Sequence, residues 1–174
     1  MGLFNKRLAY GKEAEKFIAK FFIKRGWKVE VDEEYGFMPD NEYKGARLLV
    51  LPSRPTLLEA ETESHEIIAP DMRVRKNGVC KYIEVKRRAE ISRFNDFDIL
   101  YIDAKCWYDY SELDYLCRYD NYGDGVVLFL CIDNYKGREA VFYQNIGFLK
   151  ENVQHHVKNE YIAFRLSNFV RQKI

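Results

Sequence analysis

Two short stretches with the pattern of β-strands, joined by a polar break, constrain the fold of this chain more than any other feature. The first covers residues 68–74, the second covers residues 81–88, and Lys76-Asn77-Gly78 separates them. A short run of turn-forming residues between two such stretches is typical of a hairpin loop. The sequence therefore predicts a β-hairpin whose strands lie at these two places.

The predicted hairpin carries two carboxylates and a lysine that can meet at one of its ends. Side chains alternate between the two faces of a strand, so Glu84 and Lys86 share one face and Val85 lies on the other. Asp71 lies in the first strand, where it can join them. Oxygen ligands hold Mg²⁺, which can activate water and stabilise charge on a phosphate, and a lysine can assist. These residues predict a divalent-metal site; the alternative is an exposed hairpin with ordinary surface charges.

This pattern resembles the motif of the PD-(D/E)XK nuclease superfamily, the group of restriction endonucleases, Holliday junction resolvases and many phage and repair nucleases. The motif stands here as Pro70-Asp71, an interval, and Glu84-Val85-Lys86. The resemblance covers the hairpin and the first helix, with an expected continuation to residue 132. It implies that Asp71 and Glu84 hold Mg²⁺ or Mn²⁺ and that the backbone carbonyl of Val85 is a third ligand. It also implies that Lys86 positions the nucleophilic water.

An amphipathic helix is predicted over residues 8–25, ahead of the hairpin. Its apolar residues recur at helical spacing and form one stripe, which consists of Ala14, Phe17, Ile18, Phe21 and Phe22. Gly26 follows at a position where helices commonly end. We expect the helix to pack on the sheet by this stripe.

Two glutamates of this helix are expected to differ in role. At about 100° per residue, Glu15 lies on the edge of the apolar stripe, whereas Glu13 points away. A carboxylate on the rim of a buried face needs a partner. The resemblance implies one, because the first helix contributes a glutamate to the metal site in many members of the superfamily, and Glu15 is the match. The alternative is a surface glutamate paired with a neighbouring lysine.

A strand is predicted at residues 27–31, and a long connection over residues 32–66 follows it. The connection contains a strand-like segment at 47–51 and closes with an acidic run of Glu59, Glu61, Glu63 and Glu66. Pro39-Asp40 is a second Pro-Asp pair, but no Glu-x-Lys strand follows it at a suitable distance. We expect an insertion between the first and second core strands, which either contacts substrate or a partner or is a solvated excursion.

The remaining chain is expected to complete an α/β fold. Ser111 is predicted to cap a helix, residues 126–132 to form a buried strand, and residues 138–146 an alternating strand. A helix is predicted at 148–156, and a strand or short helix at 161–169. This order of elements is of the restriction-endonuclease-like type, with a mixed central sheet flanked by helices in a single domain.

The charge balance bears on any nucleic-acid surface. The net charge is only +1, so such a surface must be a local patch. Guanidinium groups suit phosphates because they are planar and donate in pairs. The candidates near the hairpin are Arg73, Arg75, Arg87, Arg88 and Arg93. A solvated strand end is the alternative explanation. The four cysteines form no CxxC pair and are expected to be free thiols.

These features together predict metal-dependent hydrolysis of phosphodiester bonds in DNA, by an endonuclease of DNA repair, recombination or phage DNA processing. The expected partner is DNA, which could be branched or single-stranded, and the protein could form a homodimer. The sequence has no signal peptide and no long apolar run, so a cytoplasmic protein without membrane contact is expected. The small size and the insertion would suit a phage-encoded protein in a bacterial host. Two alternatives stay open: a nucleic-acid-binding or assembly module of the same fold without turnover, and a nuclease that acts on RNA.

Overall fold

The computed structural model describes residues 3–31, 37–39, 47–51, 54–55, 61–62, 65–152, 156–158 and 160–173. The helices within these ranges are α1 (Leu3–Ile23), α2 (Ala104–Tyr119) and α3 (Ile146–Asn152). None of these helices is both long and apolar enough to span a membrane. The second Pro-Asp pair, at Asp40, and the acidic run at Glu59 and Glu63 lie outside the described residues.

The strands are numbered in chain order. They are β1 (Lys28–Val31), β2 (Phe37–Pro39), β3 (Arg47–Leu51), β4 (Arg54–Pro55), β5 (Glu61–Thr62), β6 (His65–Ile68), β7 (Met72–Lys76), β8 (Val79–Arg88), β9 (Ser92–Phe94), β10 (Phe97–Asp103), β11 (Val126–Tyr135), β12 (Arg138–Asn145), β13 (His156–Lys158), β14 (Tyr161–Arg165) and β15 (Val170–Gln172). The strands predicted at 27–31, 47–51, 126–132 and 138–146 correspond to β1, β3, β11 and β12 and are confirmed.

The centre of the fold is a mixed six-stranded sheet in the order β1-β7-β8-β11-β12-β15. β8 and β11 run parallel, and the other neighbouring pairs run antiparallel. α1 packs on one face of this sheet and α2 on the other. The expected α/β fold with a mixed central sheet flanked by helices is confirmed. The sequence of β11 begins with a continuous apolar run because both faces of this strand are buried there.

Each face of the central sheet has its own hydrophobic core. On one face, α1 packs in the α1-side core, which includes Ala14, Ile18, Phe22, Met72, Ile83, Val85, Val127 and Phe129. On the other face, α2 and α3 pack in the α2-side core, which includes Tyr82, Tyr110, Leu113, Leu116, Val126, Leu128, Leu130 and Leu149. Successive residues of β8 and β11 alternate between the two cores, because side chains alternate along a strand.

The helix predicted at residues 8–25 is α1, with two corrections. It begins at Leu3 and ends at Ile23. A turn then joins it to Gly26, which has φ of +78°. The predicted stripe packs on the sheet, except that Phe17 is 40% exposed. The helix therefore contacts the sheet along a narrower stripe than the sequence indicates.

The first strand of the predicted hairpin is interrupted. β6 ends at Ile68, the chain bends at Asp71, and β7 begins at Met72. β6 belongs to a small sheet in the order β2-β3-β6, whereas β7 belongs to the central sheet. The prediction of one continuous strand at 68–74 is therefore wrong. The chain changes sheets at Pro70, which has no backbone N–H to donate to a strand ladder.

The loop and the second strand of the hairpin are confirmed. Asn77 and Gly78 form the turn, with φ of +50° and +82°, as a type I′ turn requires. β8 begins at Val79, two residues earlier than predicted, and ends at Arg88. Its antiparallel pairing with β7 and parallel pairing with β11 place it at the centre of the sheet.

The helix predicted to begin at Ser111 begins at Ala104 instead. Asp103 caps it, because the carboxylate accepts hydrogen bonds from the backbone N–H groups of Lys105 and Cys106 at 2.9 and 3.3 Å. Ser111 lies buried in the helix interior, so its predicted capping role is wrong. Both aspartate and serine are good cap residues, and the end of β10 at Asp103 decides between them.

A second sheet of four strands, in the order β13-β14-β10-β9, was not expected from the sequence. Its strands come from two distant parts of the chain, residues 92–103 and 156–165. The C-terminal predictions change accordingly. The helix expected at 148–156 is α3, which ends at Asn152, and residues 161–169 form β14 followed by a 3-10 turn.

Candidate metal and catalytic site

Asp71 sits in the bend that leads from the small sheet into the central sheet. Its Oδ2 accepts a hydrogen bond from the backbone N–H of Val85 at 2.7 Å, so the carboxylate lies directly beside β8. Met72 pairs with Ile83 in the hairpin, and the next residues outward are Asp71 and Glu84. The structure therefore brings these two carboxylates together.

Glu84 and Lys86 project from the face of β8 that α2 covers. Glu84 is 3% exposed, and its Oε1 forms an ion pair with Lys86 Nζ. The hydroxyl of Tyr110, a buried residue of α2, is hydrogen-bonded to Glu84. The buried carboxylate thus contacts a cation from its own strand and a hydroxyl group from the covering helix.

The charges of the site shift its pKa values in a way that favours an additional cation. Burial raises the pKa of Asp71 well above its ordinary value, and the negative charges of Glu84 and Glu15 raise it further. For Lys86, burial opposes the charged form, but Glu84 and other neighbouring groups raise the pKa above the ordinary lysine value. The lysine stays charged while the aspartate is driven toward its neutral form. Perturbed groups of this kind cluster at functional sites.

Glu15 approaches Asp71 from the other face of the sheet. Its side chain is 21% exposed, its carboxylate lies 3.3 Å from Lys12 Nζ, and its charge raises the pKa of Asp71. Glu13 lies outside the buried stripe, as expected, and its carboxylate lies 2.7 Å from a terminal nitrogen of Arg87. Glu13 remains largely exposed, with 71% of its side chain accessible. Of these two glutamates, Glu15 is the one whose charge is among the main influences on the pKa of Asp71.

The donor groups of the site suit a hard divalent cation. Across the described ranges, no group of three or more His, Cys, Asp or Glu side chains is arranged to enclose an ion. Asp71 and Glu84 provide two carboxylates, and Val85 lies next to Glu84 with its backbone carbonyl. Mg²⁺ commonly binds one or two carboxylates and keeps several waters, so a complete cage is not needed. The raised pKa of Asp71 also fits, because a cation would favour the charged carboxylate.

Two of the five candidate arginines converge on one carboxylate at the edge of the central sheet. Arg73 Nε lies 2.6 Å and Arg75 Nε 3.4 Å from Glu30 Oε2. Lys28 Nζ lies 2.9 Å from Glu30 Oε1. Glu30 is 5% exposed and is the common partner of these three cations. Neither Lys28 nor Glu30 is among the predicted site residues, because they face the arginines only through the pairing of β1 with β7.

The other three arginines lie apart from this edge. Arg87 points toward α1, where its Nε lies 2.9 Å from Asp133 and its guanidinium lies 4.0 Å from the ring centre of Tyr10. Arg88, the next residue, points to the opposite face and is exposed, and Arg93 is exposed on β9. The five arginines therefore do not form one patch.

α2 also holds the strand that leads into the site. Asp109 accepts a hydrogen bond from the backbone N–H of Ile68 at 2.8 Å, at the end of β6 and shortly before the bend at Asp71. Asp109 and Tyr110 are not among the predicted site residues, because the predicted helix begins at Ser111, beyond both of them. With the cap placed at the end of β10, they fall in the middle of the helix.

Comparison with known proteins bears on the fold. No family model and no curated protein sequence matches the chain. A similar solved structure is that of Hjc, a Holliday junction resolvase from the archaeal hyperthermophile Archaeoglobus fulgidus. The TM-score is 0.52, the match covers 93% of this chain and 91% of that chain, and the sequence identity is 13%. The chain thus has a resolvase-like α/β fold of the restriction-endonuclease-like type.

Proposed function

We propose that the protein is a metal-dependent nuclease that hydrolyses phosphodiester bonds in DNA. The observation that carries this proposal is the convergence of Asp71, Glu84 and Lys86, in which a carboxyl group of raised pKa lies beside a lysine that keeps its charge. The fold supports the proposal, since a solved structure with a similar fold is that of a Holliday junction resolvase.

Each residue of the site has a distinct role in this proposal. Asp71 and Glu84 would hold Mg²⁺ or Mn²⁺, with the backbone carbonyl of Val85 as a third ligand. The bound ion would supply an activated water molecule and stabilise charge on the phosphate. Lys86 would orient that water or neutralise the developing charge, and its ammonium group would then contact the reacting atoms as well as Glu84. Glu15 completes the site directly or through a water molecule.

Tyr110 is a positioning residue in the proposed site. Its hydroxyl is hydrogen-bonded to Glu84 from the α2 side, within a buried environment. A hydrogen bond from a rigid neighbouring element fixes the orientation of a metal-binding carboxylate, and groups in this position commonly affect metal affinity. The side chain is therefore expected to limit the freedom of Glu84 before any ion binds.

The substrate that we propose is DNA, including branched and single-stranded forms. The candidate contacts to its phosphates are Arg73, Arg75, Arg87, Arg88 and Arg93. A protein that acts on DNA would work inside the cell, and it could do so as a homodimer. The whole chain would form one nuclease domain, with the insertion at residues 32–66 as part of it.

Metal titration of three variants tests the proposal. Asp71→Ala and Glu84→Ala should lose Mn²⁺ binding and DNA cleavage, because each removes a charged ligand. Lys86→Ala should keep Mn²⁺ binding, since an ammonium group does not coordinate, and should lose cleavage by roughly 100-fold or more. Calorimetry measures Mn²⁺ affinity, and digestion of plasmid, branched, single-stranded and RNA substrates with Mg²⁺ or EDTA measures cleavage.

Glu139→Ala is the matched control, because it removes an exposed carboxylate that lies outside the site. Equal Mn²⁺ affinity in the wild-type protein and in Glu84→Ala would overturn the metal site. Binding of DNA without cleavage under any of these conditions would indicate a nucleic-acid-binding module instead. Cleavage of RNA alone would indicate a ribonuclease.

A further inference from the structure

A compact group of basic residues lies at the outer edge of the central sheet. We call Lys28, Arg73 and Arg75, together with the carboxylate of Glu30 that they surround, the edge cluster. All three cations lie within 3.4 Å of a Glu30 oxygen. Glu30 itself is almost buried, with 7% of its side chain exposed, whereas the side chains of Lys28 and Arg75 are 73% and 49% exposed. The cluster therefore presents the charged groups of Lys28 and Arg75 to solvent, whereas Arg73, with 17% of its side chain exposed, and Glu30 are largely buried.

The edge cluster concentrates positive charge in a chain that is nearly neutral. Three cations and one carboxylate leave a local excess of two positive charges, compared with +1 for the whole chain. Burial opposes the charged form of Glu30, but hydrogen bonds from Lys28 and Arg73 lower its pKa, so the carboxylate stays ionised. Glu30 thus holds the cations in fixed positions without cancelling their charge.

The register of the sheet places the edge cluster on the same side as the proposed site. Arg73 pairs with Glu30 on one neighbouring strand and with Tyr82 on the other. Tyr82 lies two residues before Glu84 in β8, and side chains two residues apart share a face. Arg73 and Arg75 likewise follow Asp71 at intervals of two residues, which span about 6.6 Å each. The side chains of Arg73 and Arg75 therefore form a row along one face of β7 that starts at Asp71 in the proposed site.

We infer that the edge cluster binds the sugar-phosphate backbone of DNA beside the bond that is cleaved, so that one flank of the substrate follows β7 toward the turn at Asn77 and Gly78. This inference rests on the proposed function for the identity of the substrate. Arg75 and Lys28, which are the exposed members, contact the phosphates, because their charged groups can reach solvent. Glu30 is a positioning residue that orients both.

The salt dependence of DNA binding tests this path. Fluorescence anisotropy of a labelled DNA duplex, with Ca²⁺ in place of Mg²⁺ to prevent turnover, gives the affinity across a salt series. Arg75→Ala and Lys28→Ala should each lower the slope of log affinity against log salt by about one. Glu30→Gln keeps the size of the side chain and an oxygen that can accept a hydrogen bond, but it removes the one negative charge of the cluster. It should therefore raise the affinity by roughly fivefold at low salt. Lys150→Ala, which removes an exposed cation from α3, is the control and should leave the slope unchanged.

Each outcome of this experiment decides a separate point. Slopes that stay at the wild-type value in both Arg75→Ala and Lys28→Ala would overturn the inference. Weaker binding by Glu30→Gln, in protein whose melting temperature shows that it is folded, would also overturn it. Cleavage of the same duplex with Mg²⁺ tests the proposed function independently. Cleavage together with unchanged slopes would support the nuclease function and refute DNA binding by the edge cluster. Lowered slopes without cleavage would support DNA binding by the edge cluster and refute the nuclease function.

Discussion

The surroundings of Asp71 disfavour the charged form of its carboxylate, and this effect outweighs the hydrogen bond that stabilises the charge. The N–H of Val85 donates to the carboxylate, but burial and the charges of Glu84 and Glu15 raise the pKa well above its ordinary value. The folded protein therefore binds a proton at the Asp71 carboxylate more tightly than the unfolded chain does. Such a group stabilises the fold at low pH, and the contribution is lost as the pH rises through the folded pKa.

We expect the metal-free protein to lose stability relative to Asp71→Asn as the pH rises above about 4, the ordinary pKa of an aspartate. Asparagine keeps an oxygen that can accept the N–H of Val85, but it carries no charge. The difference in free energy of unfolding should change by about 1.4 kcal/mol for each unit that separates the folded and unfolded pKa values. Urea unfolding of both proteins across a pH series measures it.

Mg²⁺ should reduce this pH-dependent difference, because a cation favours the charged carboxylate. Glu139→Gln provides the control, since it neutralises an exposed carboxylate and should follow the wild-type pH profile. Parallel profiles for the wild-type protein and Asp71→Asn would contradict the raised pKa of Asp71.

Individual residues can be predicted from the sequence where a local rule brings them together. Asp71, Glu84 and Lys86 meet because two strands joined by a tight turn pair with each other, and side-chain alternation gives their faces. Glu30 and Tyr110 reach their partners from β1 and α2, which dock through tertiary packing. No local pattern encodes that docking, so these two residues could not be assigned in advance.

At the scale of elements, α1 is attached to the sheet by polar contacts as well as by its apolar stripe. Arg87 donates to the backbone carbonyl of Tyr10 at 3.1 Å and contacts Glu13. The Tyr10 hydroxyl in turn donates to Asp133 at 2.6 Å. These contacts lie within two turns of Glu15 along the helix, so they help to fix its distance from the site.

The two glutamates of α1 should respond differently to the same substitution. Glu15→Gln should lower Mg²⁺-dependent cleavage by roughly 10- to 100-fold. It should also raise the melting temperature without metal, because it removes repulsion of Asp71. Glu13→Gln should change both little, since its carboxylate is largely exposed and exposed ion pairs contribute about 0.2–1 kcal/mol.

Initial cleavage rates across a Mg²⁺ series, and melting temperatures with and without Mg²⁺, separate these variants. A larger loss of cleavage in Glu13→Gln than in Glu15→Gln would show that α1 acts on the site through the contact between Glu13 and Arg87. Unchanged cleavage rates and melting temperatures in both variants would show that α1 contributes no functional residue to the site.

The elements themselves were predicted well where one pattern dominates, and poorly where two compete. α1 and β8 have clear periodicity, β11 is an unbroken apolar run between turn residues, and all three are confirmed apart from their ends. The start of α2 was misplaced because Asp103 and Ser111 are both suitable caps, and only the strand that ends at Asp103 distinguishes them. The interruption at Asp71 was missed because the residues on both sides of it are strand-like.

On the scale of the whole molecule, the central sheet separates two cores that each contain a buried cysteine. Cys117 belongs to the α2-side core and Cys131 to the α1-side core, and the four cysteines are free, as expected. Burial raises the pKa of Cys117 to about 12 and that of Cys131 to about 11. Both thiols are thus unreactive in the folded protein, and each reports the opening of one core.

If the chain is a single cooperative domain, both thiols should become reactive at the same urea concentration. Pulse labelling with a thiol reagent along a urea series, followed by mass spectrometry of the peptides, gives a midpoint for each cysteine. Cys80 and Cys106 are only partly buried and serve as internal references. Separate midpoints for Cys117 and Cys131 would divide the molecule into two units, one on each face of the sheet.

The global arrangement could be predicted only in outline. The mixed sheet with flanking helices follows from the order of strongly periodic segments. The second sheet does not, because β10 and β14 are far apart in sequence and neither shows a distinctive pattern. The scattering of the five arginines has the same origin, since it depends on which strands become neighbours and on which face each arginine projects.

The contacts of α2 have a consequence for protein engineering. Its adjacent residues Asp109 and Tyr110 hold the strand before Asp71 and the carboxylate of Glu84, respectively. The two halves of the short motif are therefore aligned by a helix that follows both of them in the sequence. A grafted hairpin alone would carry the right side chains in an unsupported arrangement. A graft that keeps Asp71 and Glu84 aligned therefore needs the hairpin together with this helix, and a scaffold chosen to receive them must offer a matching pair of surfaces.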